Sequence, residues 1–348
     1  MLADRQVALL EGADHAVWFR MALPTLDSSE LTLVLREYGI EGRTVVVSSP
    51  MHGADNRNVF IDVDDHRYVL RLYGVTASDE IDYELQLVEY LVTSGFPTPR
   101  VHRRTDGALI TSVASVSAAL FDRVPGTRPT MPSRELAPRV ATLIARLHAL
   151  TEGRAFPGKR SRTDVGRLEA FERLLYEDGH FASTAGVRPF HQAILNTIAS
   201  FQDIMRRTTH LPWGALHHDP HRDNLLVDDT HEIVALLDFD EAYSGYFVLD
   251  IAALVANWAR TDTGALDLSS LTAMVAAYQQ QRHLTPDECY ALPTAILVFF
   301  AADAADYLLR EWRRTSGQID VQESRSLQAF YTLRETNDWR AILQSGTR

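Results

Sequence analysis

Hydrophobic spacing changes character along this chain. Residues 28–40, SSELTLVLREYGI, place apolar positions at helical intervals between a serine suited to the N-cap and Gly39 as a stop. On this pattern residues 1 to about 40 read as helical. From residue 43 the runs become β-branched and aromatic: RTVVVSS (43–49), NVFIDV (58–63) and RYVLRLY (67–73), with DDH (64–66) as a short turn joining the last two. Helical spacing returns in SDEIDYELQLVEYLVTSG (78–95), where Ser78 is placed to cap and Ile81, Leu85, Val88 and Leu91 share one face. Further strands are expected at VHRR (101–104), GALITS (107–112) and SAALFDRV (117–124).

PGTRP (125–129) ends this texture. Beyond it helices dominate: 133–150, a long run from about 165 to 208, then 250–259, 271–281, 290–314 and one or two more. The exception is a small hairpin, NLLV (224–227) and EIVALLDF (232–239), in the middle of the helical part. The expected fold class is therefore α+β. Residues 1–124 form an antiparallel sheet with one helix and a helical N-terminal extension, and residues 125–348 form a mostly helical region with a central β-hairpin.

Composition narrows the partners. The 348 residues are 46% hydrophobic, enough for a large core. A net charge of -12 argues against a broadly basic nucleic-acid surface and favours a cationic small partner. The single cysteine, Cys289, forms no internal disulfide, which fits a reducing cytosol. The N-terminal residues do not read as a signal peptide, and AILVFFAADAA (295–305) is interrupted by Asp303 before a membrane span is reached. A cytoplasmic protein with no nucleic-acid or membrane partner is expected.

The chemistry concentrates in GALHHDPHRDNLLVDD, residues 214–229. The hairpin that starts here ends in DFDEA (238–242), so antiparallel pairing should bring Asp219 and Asn224 to Asp238 at one edge. A carboxylate for a hydroxyl proton, beside an amide and a carboxylate for Mg2+, suits phosphoryl transfer. His217 lies two residues before Asp219 and Asn224 five after it, the spacing of a kinase catalytic loop. A zinc or di-metal hydrolase site of His217, His218, Asp219 and His221 is the competing reading. It lacks the helical pair of histidines four apart with a glutamate between, and Pro220 breaks a helix there.

These motifs resemble the aminoglycoside phosphotransferase and choline kinase superfamily, whose loop reads His-Gly-Asp-x-His-x-x-Asn, and within it the homoserine-kinase-like and stress-response-kinase-like branch. LLDFDEA resembles the family's Asp-aromatic-Asp/Glu segment, and GYFVLDIAAL its Gly…Asp-Leu-Ala segment. The likeness covers residues 43 to about 260. It implies a two-lobe protein-kinase-like fold and transfer of the γ-phosphate of ATP, with GTP as the alternative, to a hydroxyl of a small molecule. Asp219 would be the catalytic carboxylate. Asn224 and Asp238 would hold Mg2+ with Asp240 as a helper, and His217 and Asp250 would brace the loop. Arg71, in the lysine position, would contact phosphates with Glu84 as its helix partner. Gly53 and Asn58 would sit in the phosphate loop, and the backbone from Asp122 to Val124 would read the base.

The chain departs from the family at His218, which replaces glycine, at Arg71, and in a phosphate loop with one glycine. The acceptor is expected to be an amine-bearing alcohol, with His221, Asp303, Asp306 and Tyr307 as its candidate contacts. The pairing of Asp306 with Arg310 one turn on is an equal alternative. The basic residues at 310–314 could instead receive a carboxylate, as in homoserine. A protein Ser/Thr kinase and a nucleotide-binding pseudokinase stay open as other classes.

Overall fold

The computed structural model describes residues 26–42, 44–48, 56–74, 76, 78–130, 134–158, 164–208, 210–261 and 265–344. Its contacts divide the chain into two units, Met1–Ile81 with Val101–Arg123, and Asp82–Arg100 with Val124–Arg348.

In the first unit, helix α1 (Ser28–Glu37) is capped by Asp27, not by a serine. The Asp27 carboxylate accepts the N–H groups of Ser29 and Glu30, and Glu30 returns a bond to the Asp27 N–H. Gly39, at φ 68°, ends the helix in the left-handed region. The sheet order is β1-β2-β3-β5-β4, all antiparallel, with β1 Thr44–Ser48, β2 Asn56–Val63, β3 His66–Tyr73, β4 Thr111–Val113 and β5 Val116–Asp122. Leu31, Val34 and Leu35 of α1 pack in one core with Val59, Ile61, Leu70 and Leu72. Each such burial stabilises by roughly 1.5–3 kcal/mol. The expected strand at 101–104 is only a single bridge, Val101 to Phe121.

Helix α2 (Ser78–Thr93) buries Ile81, Leu85, Val88 and Leu91, the face its periodicity indicates. Most of it belongs to the second unit, although the sequence places 82–100 with the sheet. Specific bonds explain the grouping. Tyr90 Oη donates to Leu150 O at 2.8 Å, Arg146 Nη2 to Gly95 O at 2.7 Å, and the Leu236 N–H to Pro97 O at 2.9 Å.

The second unit continues with α3 (Leu136–Thr151), α4 (Asp164–Glu177), α5 (Gly179–Ser183) and α6 (Val187–Arg207). The expected long helix is broken because Asp178 caps α5 through the N–H groups of His180 and Phe181, and Gly186 at φ 87° precedes α6. Strands β6 (Trp213–Leu216) and β9 (Tyr243–Tyr246) pair, and β7 (Leu225–Val227) pairs with β8 (Ile233–Leu236). Helices α7 (Phe247–Trp258), α8 (Leu268–Gln281), α9 (Pro286–Arg314), α10 (Arg325–Glu335) and α11 (Asp338–Gln344) complete it. Helix α9 is apolar and long enough to cross a membrane, but 78% of its apolar window is buried within the protein. It is the core helix of this unit.

Candidate active site

Strand β6 delivers the chain into the loop 217–221, and three buried groups fix that loop. Asp250, in the first turn of α7, is fully buried. Its Oδ2 accepts the His217 N–H at 3.0 Å and its Oδ1 the His218 N–H at 2.7 Å. Burial alone would raise the Asp250 carboxyl, but bonds from His148 and the His217 backbone, with nearby imidazoles, take it below the ordinary carboxylate range. His148 Nε2 lies 2.9 Å from Asp250 Oδ2, and His148 Nδ1 lies 2.7 Å from Tyr278 Oη. Burial pushes the His148 imidazole down, against the pull of Asp250, so it is neutral. One tautomer satisfies both contacts: Nε2–H donates to Asp250 and Nδ1 accepts from Tyr278.

The chain of bonds continues outward. Arg282 Nη1 donates to Tyr278 Oη at 3.2 Å and to Glu288 Oε1 at 2.9 Å, and Arg282 Nε to Glu152 Oε2 at 3.2 Å. Sequence reading passes over Arg282 and Glu288. The only local signal is an arginine and an acid flanking apolar helices.

His217 is also fully buried. Its Nε2 donates to Leu237 O at 2.9 Å, and its Nδ1 accepts the Asp219 N–H at 3.3 Å. Burial holds it neutral as well. The Leu237 N–H in turn donates to Asn224 O at 2.7 Å. Leu237 therefore links His217 to Asn224, and Asp238 follows it directly at φ 66°. Phe239 beneath packs edge-on against the His217 ring, with centroids 4.7 Å apart.

Asn224 Nδ2 donates to Asp219 O at 3.0 Å and to Asp219 Oδ2 at 3.1 Å. Its amide oxygen is thus the atom that would meet a cation. Burial raises the Asp219 carboxyl above its usual range; His221 and His217 oppose this, while the charges of Glu241 and Asp238 add to it. The donor set of Asn224 and Asp238 is hard oxygen, which suits Mg2+ completed by phosphate oxygens and water. The histidines do not form a cage. Among the described residues no three His, Cys, Asp or Glu side chains are grouped to hold a metal, and His217 uses both ring nitrogens within the protein.

The other expected residues fall as follows. Arg71 is buried on β3, opposite Asn58 of β2 and Ala119 of β5, with its guanidinium 5.5 Å from the Tyr73 ring centroid. Glu84 is buried on α2. Gly53 lies outside the described residues. Asp122 ends β5, and its carboxylate lies 2.6 Å from His102 Nε2. Val124 begins the second unit's next segment. Asp240 sits in the turn closed by Ala242 N–H to Phe239 O at 3.0 Å.

Among the acceptor candidates, His221, Asp303 and Asp306 have partners within the protein. His221 Nδ1 is 3.3 Å from Asp219 Oδ2 and its Nε2 is 3.8 Å from Asp223, so it belongs to the loop itself. Asp303 accepts from Ser326 Oγ at 2.5 Å, and Asp306 pairs with Arg310 at 3.4 Å, the alternative that helical spacing allowed. Tyr307 is half-buried nearby, and burial raises its phenol. Arg310, Arg313 and Arg314 are exposed, and Arg314 is held by Glu311.

Known proteins are similar to this chain in sequence and in fold. A homoserine kinase of Pseudomonas aeruginosa is 27% identical over 273 residues, spanning 78% of this chain and 83% of the relative. Among solved structures, the amicoumacin kinase hAmiN in complex with AMP-PNP, Ca2+ and Ami superposes with TM-score 0.63 at 15% identity, over 92% of this chain and 94% of that one. A microcompartment-associated aminopropanol kinase gives TM-score 0.58 at 18% identity, over 92% and 96%. The family model described as the phosphotransferase enzyme family matches residues 47–290, well over half of the sequence, and the chain belongs to that family.

Proposed function

We propose that this phosphotransferase moves the γ-phosphate of ATP to the hydroxyl of a small hydroxy amino acid or amino alcohol, with Asp219 as the group that receives the hydroxyl proton. The chain is a phosphotransferase whose acceptor group is an alcohol. The observation that carries the finer reading is the Asn224 amide, bonded to Asp219 through Nδ2 while its backbone oxygen is tied through Leu237 to Asp238. One residue thereby sets the spacing of the base and the metal ligands. Asn224 and Asp238 would hold Mg2+, which supplies charge neutralisation on the transferring group when bound. Arg71 and Asn58, register partners across β2 and β3, carry the phosphate-contacting role. His217 and Asp250 hold the loop rigid, so that catalysis is mainly positioning and electrostatics. The likeness to homoserine kinases supports a small hydroxy amino acid as acceptor.

The test is ADP release with ATP and Mg2+ over homoserine, other hydroxy amino acids, amino alcohols and aminoglycosides. Turnover with one small alcohol is expected, and Asp219→Ala should lower it by about 10²- to 10⁴-fold with folding intact. Near-normal turnover in that variant would remove Asp219 from the role. ATP binding without transfer to any alcohol would leave a nucleotide-binding pseudokinase.

A further inference from the structure

A run of buried polar groups leads from the catalytic loop to the junction of α8 and α9. Asp250, His148 and Glu288 are fully buried, and Tyr278 and Arg282 are only 2% and 8% exposed. Arg282 is the C-cap of α8, and Glu288 stands in the first turn of α9. The cap of α9 aims Glu288. Its Oε2 accepts the Thr285 N–H at 2.9 Å, and its N–H donates to Thr285 Oγ1 at 3.1 Å, which leaves Oε1 for Arg282 Nη1 at 2.9 Å. The Arg282 guanidinium also lies over the Phe247 ring, 4.6 Å from its centroid, and His148 stacks on the same ring at 4.1 Å. Phe247 opens α7, three residues before Asp250. Arg282 is thus tied to the start of α7 by a ring as well as by hydrogen bonds.

The direction of these bonds follows from what each group can do. A guanidinium only donates, and an ionised carboxylate only accepts. Arg282 Nη1 donates to Tyr278 Oη at 3.2 Å, so the phenol O–H turns to His148 Nδ1, 2.7 Å away. Nδ1 is then bare, and the ring's one proton, on Nε2, goes to Asp250 Oδ2 at 2.9 Å. That oxygen also takes the His217 N–H, while Oδ1 takes the His218 N–H. A second proton on the His148 ring would need an acceptor at Tyr278 Oη, and the buried Tyr278 O–H would lose the one it has, which is costly. The ring would also become a full charge beside Asp250, competing with the two loop N–H groups for the same carboxylate.

We propose that Arg282 is a positioning residue for phosphoryl transfer: through Tyr278 it fixes the form of His148 that gives Asp250 a single hydrogen bond, and so sets how Asp250 holds the loop carrying Asp219. The assignment rests on the reading of Asp219 as the group that receives the hydroxyl proton. It adds a residue far outside the loop, on another helix, as one on which the geometry of that loop depends.

Replacements that differ in whether they can accept a hydrogen bond test it. Arg282→Lys keeps a group that only donates, with its charge facing Glu288. Arg282→Gln combined with Glu288→Gln can accept the Tyr278 O–H and leaves no lone buried charge to unfold the chain. Histidine 15N shifts in the full chain, sequence-specifically assigned, read the state of the His148 ring near neutral pH. ADP release is measured with L-homoserine and with 3-aminopropan-1-ol, and urea midpoints establish that each variant is folded. Wild type and Arg282→Lys should show a ring protonated on Nε2 alone, with similar kcat. The double variant should lose that state, and its kcat should fall about 10-fold while KM for ATP stays within about 2-fold. An unchanged ring and an unchanged kcat in the double variant would overturn the proposal. A fall in kcat shared by both variants with the ring unaltered would do the same, because it marks a merely structural role. Near-normal turnover of Asp219→Ala, with the ring still following the side chain at 282, would remove the base and leave the hold on Asp250.

Discussion

Asp250 Oδ1 accepts the backbone N–H of His218 at 2.7 Å, and His218 meets it with φ at 67°. That backbone conformation suits glycine, and a side chain there costs about 1–2 kcal/mol. His218 is nevertheless buried, with its ring 5.2 Å from Tyr243 and 5.6 Å from Phe299 by centroids. Ring packing therefore offsets backbone strain. His218→Ala loses the ring and keeps the strain, whereas His218→Gly loses both. His218→Ala is expected to be the less stable of the two by about 1 kcal/mol in urea unfolding. The reverse order would show that the strain is not stored at this position.

Two buried neutral histidines give the stability a defined pH dependence. His148 and His217 are both held below the ordinary imidazole value of 6.5 by burial. Their folded pKa values are depressed, so their contribution is fully present above 6.5 and falls as the unfolded chain takes up protons below it. Each should remove up to about 1.4 kcal/mol per pH unit below that point. Urea midpoints measured downward from pH 7.5 should hold until about 6.5 and then drop. Asp250 adds a second loss at lower pH, because its carboxyl is depressed and stabilises only while ionised. A midpoint independent of pH between 7 and 5 would contradict the neutral assignment.

On the proposed roles, metal dependence should separate Asn224 and Asp238 from Asp219. Asn224 and Asp238 are joined through Leu237, so loss of either side chain should weaken the cation rather than distort the hairpin. Asp238→Asn is expected to raise the Mg2+ concentration for half-maximal turnover by at least about 10-fold. It should also lower the Asp219 pKa, since the Asp238 charge raises it. Excess Mg2+ should recover part of the activity of Asp238→Asn and none of that of Asp219→Ala. Equal recovery in both would merge the two roles.

Much of the catalytic loop was legible because its information is local. The spacing of His217, Asp219 and Asn224, followed by a hairpin, already constrains which groups meet. Long-range pairings were not legible. β6 and β9 are four residues each and far apart in sequence, WGAL and YSGY, too short to declare themselves as strands. Residues 82–100 read as part of the sheet unit because helical spacing says nothing about which unit a helix contacts. Their grouping rests on single bonds such as Tyr90 to Leu150. On α9, spacing places Asp303 and Asp306 together but cannot reveal Ser326, which arrives from another helix.

The β6 strand that sequence reading missed supplies a final prediction, because it sets the height of the whole loop. A Cβ on Gly214 would lie 2.5 Å from the Thr151 carbonyl oxygen and 2.8 Å from the Phe247 ring. The first of these is backbone at the end of α3, also held through Thr151 Oγ1, which accepts the Ala215 N–H at 3.2 Å. Backbone cannot rotate aside as a side chain can, so β6 itself must move. Gly214→Ala is expected to destabilise by about 2 kcal/mol or more, near the upper part of the usual overpacking range. Its effect on turnover should exceed its effect on folding, since His217 to Asp219 continue directly from the displaced strand. Denaturant midpoints and ADP release measured well below the midpoint separate the two. Wild-type turnover in a folded Gly214→Ala chain would mean that the loop holds its geometry through Asp250, Leu237 and its other partners, independently of β6.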